Sequence, residues 1–308
     1  MYGIGRRNEE FNEVLYLFTI LPLQLSTVLP TGVTAFFITW LTNFKLLLFT
    51  FQLGPLQSNS NSLLHFLLFA CLPIRLIPKQ SPSKLHLIII PIKALLFALS
   101  LIGLKDQHKQ KVHPTLILGL YCTLLYLLVD VVLGLCNIAV NATLGIELQL
   151  PSDDPYFSTS LSDFWGRRWN LMVTYILRHT VYIPVRSVLS KTMLGPQWAS
   201  VHGVMATFMV SGLMHELLFY YVTRAAPTWE VTWFFVLHGA CVVVEFGAKR
   251  WLGHKWRLHW VVTGPITVAF VIVTAAWLFF PPLLRDGADQ RSIREFNNAL
   301  DCVMAKFY

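Results

Sequence analysis

The sequence predicts an all-α protein held in a membrane by about seven to nine embedded helical segments. Three observations lead there. Hydrophobic residues make up 55% of the 308-residue chain. Charged residues make up 13%, against roughly 25% in a soluble domain. Six runs are also long and apolar enough to cross a bilayer core, which takes about 20 residues of helix.

Those six runs are residues 31–53, 85–104, 114–140, 198–222, 231–251 and 260–284. Residues 14–29 form a shorter run, read as a truncated span. The run 63–77 is interrupted by Pro73 and Arg75 and reads as re-entrant or interfacial. Residues 176–189 carry Arg178, Pro184 and Arg186 and are equally ambiguous. The organisation expected is a polar N-terminal segment 1–13, one membrane domain 14–284 with its core motifs in 161–222, and a polar tail 285–308 outside the membrane. No cleavable signal peptide is evident, and there is no internal repeat.

The formal net charge of +8 does not point to nucleic acid. Its bases sit in short connectors, 78–84, 105–113 and 249–259, where they set topology and meet anionic headgroups. The positive-inside rule puts all three on the cytosolic side. Strict alternation conflicts with this, so the sequence fixes no orientation. The five cysteines form no CxxC pair and read as free thiols.

After the Pro-, Ser- and Asp-rich connector 151–161 comes a segment too charged to span. Taken as one helix, it sets Leu161, Phe164, Trp165, Trp169, Met172 and Ile176 on one face. Asp163, Arg167, Asn170, Thr174 and Arg178 fall on the other. Aromatics opposite arginines describe a helix lying in the membrane interface, or an ordinary amphipathic connector.

Ionisable groups inside a bilayer are costly and mark function or a specific partner. The outstanding case is His215, eight residues before the end of its apolar run. Counting back by helical spacings gives Ser211, Thr207, Gly203 and Ser200, a stripe of small and polar residues that either packs closely against another helix or lines a cavity. His238 and Glu245 share a face of the next span and read as a mutual hydrogen-bond network. Glu216 points about 100° from His215 and is expected to pair with a nearby base. Lys45 and Asp130 read as structural.

A histidine can take and return a proton near neutrality. A lipid alcohol attacking a thioester needs such a base, a donor near the carbonyl oxygen, and exclusion of water. His215 is the candidate base and Asn170 a candidate amide donor. Arg167, Arg168 and Arg178 are candidates to hold phosphates at the interface.

At these residues the sequence resembles a known family. Phe164-Trp165-x-Arg167-Arg168-Trp169-Asn170, Leu177-Arg178-His179-Thr180-Val181-Tyr182-Ile183-Pro184 and Val210-Ser211-Gly212-x-x-His215-Glu216 are similar to motifs of the membrane-bound O-acyltransferase superfamily. The nearest branch is the plant wax synthase-like one, which includes acyl-CoA–sterol acyltransferases. The stretch from Thr34 through Trp40 and Lys45 to Phe49 resembles that branch too, and the likeness covers the chain from about Leu21. It implies helices around an internal tunnel, multi-pass residence in the endoplasmic reticulum membrane, and acyl-CoA as co-substrate with no metal or other cofactor. It also implies His215 and Asn170 as catalytic residues. Acyl-CoA would contact Trp165, Arg167, Arg168, Trp169, Arg178 and Ser211, with Glu216, His238 and Glu245 in support. Members of the branch begin with a further apolar span where this sequence opens on polar residues 1–13.

The reaction expected is transfer of a fatty acyl group to a lipid hydroxyl, most simply a long-chain alcohol, with a sterol or another specialised alcohol as the alternative. A proton- or ion-coupled transporter using the buried His and Glu residues is the non-enzyme alternative; it leaves the Trp-rich Asn170 block unexplained. A metal-dependent desaturase needs several His clusters, and His108 and His113 are too few.

Overall fold

The computed structural model describes residues 2–54, 56, 63–72, 85–103, 113–144, 152–192, 195–252 and 259–305. All regular structure among them is helical. Pro73, Arg75, His108 and most of the three basic connectors lie outside the described residues.

The chain opens on α1 (Tyr2–Ile20), which crosses the expected boundary at residue 13 without a break. A 3-10 turn leads to α2 (Val28–Thr34), which runs through a π-helical stretch, Ala35–Thr42, into α3 (Asn43–Thr50). Next come α4 (Leu63–Cys71), α5 (Leu85–Gly103) and α6 (Pro114–Leu144). Short pieces follow: α7 (Leu161–Asp163), α8 (Leu171–Leu177) and α9 (Ile183–Leu189). Two long helices, α10 (Gly195–Thr223) and α11 (Glu230–Leu252), pack along each other. The chain closes with α12 (Trp260–Thr274), α13 (Pro281–Arg285) and α14 (Ala288–Met304).

Among the described residues, five stretches are long and apolar enough to cross a membrane: Val28–Thr50, Leu116–Thr143, Gly195–Thr223, Glu230–Trp251 and Trp260–Phe279. They match five of the six expected spans. In α5 the described apolar stretch is only Ile90–Ile102. Ile266, Val273 and Trp277, spaced by seven and four, are 62%, 65% and 66% exposed, which defines a lipid-facing stripe on α12 and its continuation. Exposed Trp251 and Trp260 sit at helix ends, as expected of membrane-interface aromatics.

Close helix approach follows from glycine. A Cβ on Gly212 would lie 3.0 Å from the Thr232 Cα, so α10 meets α11 backbone to backbone there. Glu216 is buried at the same contact, where its carboxylate accepts from the Thr232 amide (3.2 Å) and hydroxyl (3.3 Å). It pairs with α11, not with a base as the sequence suggests.

The buried charges are satisfied individually. Lys45, wholly buried, donates to the carbonyls of Phe69 (2.9 Å) and Leu72 at the end of α4, where free carbonyls collect. Asp130 accepts from Lys93 at 2.5 Å and from the Ser152 hydroxyl, which ties α5, α6 and the connector together.

Two expectations need correction. The segment 161–178 is not one amphipathic helix. A π-turn at Phe164–Arg168 adds a residue to the helical period, and Trp169 is extended. Asn170 is left-handed at φ 37°, a region open to asparagine more than to most side chains. These breaks reset the phase, so Phe164, Met172 and Ile176 are buried while Asn170, Thr174 and Arg178, from the supposed polar face, turn to the interior cavity. Residues 285–304 likewise do not stand apart as a polar tail. The Glu295 carboxylate of α14 accepts from the Val28 (2.6 Å) and Leu29 (2.9 Å) amides, and so caps α2 from across the chain. Tyr121 donates to Asp289 at 2.5 Å.

Candidate active site

A cavity of about 1000 Å³ runs through the bundle, walled mostly by aromatic and aliphatic side chains. That is the upper part of the range for small-molecule pockets. His215 from α10 and Asn170 from the start of α8 both line it, as do Ser211, Trp165, Trp169 and Arg178. Residues 45 positions apart in sequence therefore meet on one chamber.

Each of the four described π-helical stretches puts residues on this wall. They supply Phe36, Phe37 and Trp40; Phe164, Trp165 and Gly166; Arg178 and Tyr182; and Ala275 and Phe279. A π-turn widens the helix by one residue per turn and is common at functional sites.

The tautomer of His215 follows from one contact. Its Nδ1 lies 2.7 Å from the Ser211 carbonyl oxygen, one turn back on the same helix. A carbonyl can only accept, so in the neutral ring the proton is on Nδ1 and the lone pair on Nε2. The ring sits among Phe235 (centroids 4.4 Å apart), Trp40 (5.0 Å, edge-on) and Phe279 (5.7 Å). Apolar walls with one basic nitrogen suit a proton abstraction from which water is excluded.

Asn170 is held by its own helix. Its side-chain oxygen accepts from the Val173 amide at 3.2 Å, capping α8. The oxygen is thereby assigned, because an N–H can only donate, and the Nδ2 amide group remains as a neutral donor. Rings connect the two residues: Phe235 packs on His215, Trp165 lies 5.7 Å from Phe235, and Trp169, the neighbour of Asn170, lies 6.4 Å from Trp165. Trp169 stacks on Phe164 at 5.5 Å and 13°.

The block is braced from behind. The Trp169 amide donates to the Phe164 carbonyl at 2.8 Å, and the Thr174 hydroxyl donates to the Trp165 carbonyl at 2.9 Å, which closes the widened turn. Glu245 accepts from the Ser162 amide (3.1 Å) and hydroxyl (2.5 Å) and from Lys249, fastening the block to α11.

The remaining sequence candidates separate. Arg178 is exposed at the cavity wall, 5.9 Å from the Tyr182 ring. Arg167 and Arg168 lie off that wall. Arg168 donates to Asp163 at 3.0 Å and to the Asp153 carbonyl at 3.1 Å. Burial alone would raise the Asp163 carboxyl, but the Thr159 amide and the Arg168 guanidinium outweigh it and hold the group below the ordinary carboxylate value. Arg168 therefore braces the connector. His238 is wholly buried and off the wall. Its Nδ1 donates to the Phe234 carbonyl at 2.8 Å, and Nε2 lies 3.3 Å from the Thr274 hydroxyl of α12. His238 and Glu245 thus bond to different elements, and the mutual network expected between them is not present among the described residues. No three His, Cys, Asp or Glu side chains among the described residues gather as a metal site.

Sequence reasoning singles out neither Phe235, Phe279 nor Trp40. Trp40 is 2% exposed, lines the cavity, and its indole nitrogen has no hydrogen-bond partner; the Trp165 nitrogen shares that condition. A buried unpaired donor costs about 1–3 kcal/mol, so a pair of them beside one chamber calls for a reason. The available signal was a polar N–H in the middle of an apolar run.

Comparison with known proteins agrees with this chemistry. Residues 151–237 match the model of the membrane bound O-acyl transferase family. A long-chain-alcohol O-fatty-acyltransferase of Simmondsia chinensis is 44% identical over 295 residues, covering 92% of this chain and 83% of that protein. A probable long-chain-alcohol O-fatty-acyltransferase 3 of Arabidopsis thaliana is 42% identical, covering 96% and 86%. The acyl-CoA–sterol O-acyltransferase 1 of the same plant is 39% identical, covering 93% and 85%. With likeness at this level across most of both chains, the protein is an acyltransferase belonging to the membrane-bound O-acyl transferase family.

Proposed function

We propose that this protein transfers a fatty acyl group from acyl-CoA to a long-chain fatty alcohol in the endoplasmic reticulum membrane. The observation that carries the reading is a single apolar cavity lined by both His215, whose Nε2 is left basic by the Ser211 contact, and Asn170, whose amide group is a neutral donor. The alcohol proton passes to Nε2 of His215 as its oxygen attacks the thioester carbon. A C–O bond forms, the C–S bond breaks, and the imidazolium returns the proton to the CoA sulfur. The products are an ester and free CoA, with no net change at the enzyme. Asn170 positions the thioester or the attacking hydroxyl, Trp165 and Trp169 shape the wall beside it, and Arg178 meets a CoA phosphate at the rim.

The acceptor assignment draws on the long-chain-alcohol names of most of the relatives. The sterol relative supports a second reading at slightly lower identity. The test uses the purified protein in lipid vesicles, with acyl-CoA and an equimolar mixture of a long-chain alcohol and a sterol. Wax ester in excess, with CoA released one for one, is expected. Steryl ester alone replaces the acceptor. Proton or ion flux without ester overturns the enzyme reading.

A further inference from the structure

We propose that the acyl chain of the bound thioester runs past His215 into a second arm of the cavity, and that Phe296 of α14 closes this arm and so sets the acyl length the enzyme prefers. This rests on acyl-CoA as the donor, with its CoA end toward Arg178.

The two arms follow from the rings around His215. On one side Phe235 and Trp165 lead to Trp169 and Asn170, at the head of the short helix that ends at Arg178. On the other side Phe279 lies 5.7 Å from the imidazole, Phe280 lies 5.5 Å from Phe279, and Tyr121 of α6 lies 6.0 Å from Phe280. Tyr121 then donates to Asp289 of α14. All of these residues stand on the cavity wall.

α14 meets the cavity with one face. Its lining residues are Ala288, Asp289, Ser292, Ile293 and Phe296, at the spacing of a single helical stripe, while Gln290, Arg294 and Asn298 are exposed. Among the described residues, Phe296 is the last of α14 to reach the wall. Its ring packs edge-on against Phe97 of α5, another wall residue, with centroids 6.0 Å apart and planes at 87°. The helix is fixed from two directions, by Glu295 on the α2 amides and by the Tyr121 hydroxyl on Asp289. A gauge of length needs such a fixed end.

The thioester supplies the occupant. Its carbonyl carbon carries the sulfur on one flank and the acyl chain on the other. With the CoA end toward Arg178 and the carbonyl at the imidazole, the chain leaves on the side away from the sulfur, where the apolar rings lead to α14. Each methylene buried along that arm favours the transition state by about fourfold. Once the chain end meets Phe296, a further methylene has no room and overpacks the wall.

The test gives the purified protein in vesicles an equimolar mixture of even-chain saturated acyl-CoAs and one long-chain alcohol. The masses of the esters give relative kcat/KM values. Phe296→Ala is expected to move the preference to longer chains, raising the next even chain against the wild-type optimum by about tenfold, the value of two buried methylenes. Phe296→Trp is expected to move it to shorter chains by a similar factor. Lost stability lowers all products together and does not give opposite shifts from a smaller and a larger side chain. If Phe296→Ala fails to fold, Phe296→Leu and Phe296→Trp decide, with the same signs. Arg294→Ala, on the exposed face, is expected to keep the wild-type profile, and a shift there overturns the proposal. The converse series holds one acyl-CoA constant and varies the alcohol. An unchanged acyl profile in folded Phe296 variants overturns the proposal, and so does a shift confined to the alcohol series, which gives the arm to the acceptor. Either result leaves the proposed reaction standing. A wild type that makes no ester from any acceptor removes that reaction and the gauge with it.

Discussion

Ser211 and His215 lie one turn apart on α10, and the carbonyl of the first takes the Nδ1 proton of the second at 2.7 Å. The backbone of the helix thus does the work that a carboxylate does behind many catalytic histidines. It sets the tautomer without bringing a second charge into the bilayer, where one would be expensive. It also holds the ring against rotation, together with Phe235 and Trp40.

The arginines divide into a binding role and a folding role. Arg178→Ala is expected to raise the Michaelis constant for acyl-CoA by about three- to tenfold, roughly the net value of one ordinary hydrogen bond at an exposed side chain, with kcat little changed. Arg168→Ala is expected to lower the melting temperature instead, because it breaks the contacts to Asp163 and the Asp153 carbonyl. Initial-rate kinetics and thermal unfolding on the two variants check the division.

Asp163 gives a signed pH dependence. Its folded carboxyl titrates below its unfolded value of about 3.9, so its contribution to stability is complete above that pH and is lost as pH falls through the folded value. Asp163→Asn is expected to lower stability at neutral pH and to flatten the acid limb of the stability profile below about pH 4. Unfolding midpoints collected from neutral pH down to about pH 3 read this directly.

The α10–α11 contact has no room for a side chain at Gly212. Gly212→Val is expected to destabilise by about 1–3 kcal/mol, since the obstacle is the Thr232 backbone rather than a movable side chain. Gly119→Ala, on α6, meets nothing within 4 Å and is expected to be neutral or slightly stabilising. Denaturation of both in detergent provides the comparison.

The long-range cap predicts a coupling between chain ends. Glu295→Gln is expected to cost about 1 kcal/mol by weakening the hold on the Val28 and Leu29 amides. Limited proteolysis should then release α14, while the wild-type helix resists.

Much of this is legible in the sequence. Apolar length alone locates the spans, because a bilayer leaves few alternatives to a helix. His215 stands out because an imidazole deep in an apolar run is costly, and the Asn170 block because its arginines and tryptophans cannot span. What is not legible depends on tertiary packing or on a change of helical period. A π-turn inserts one residue without marking the sequence, so face assignments through 161–178 slip at Phe164–Arg168 and again at Asn170. The acceptors of Lys45 are carbonyls of α4, and no side-chain pattern reports those. Residues 285–304 read as a tail by composition, yet Ile293 and Phe296 sit on one face of α14 and line the cavity. Trp40 is hidden among apolar neighbours; only the fold shows its nitrogen unpaired beside the base.

The central claim is that Nε2 of His215 takes the acceptor proton. Its most direct test is the single-turnover rate of CoA release by purified His215→Ala in vesicles, with acyl-CoA and a long-chain alcohol both saturating. A fall of about 10²–10⁴-fold with acyl-CoA binding and melting temperature unchanged is the result expected for loss of a general base. A rate within a few-fold of wild type would contradict it.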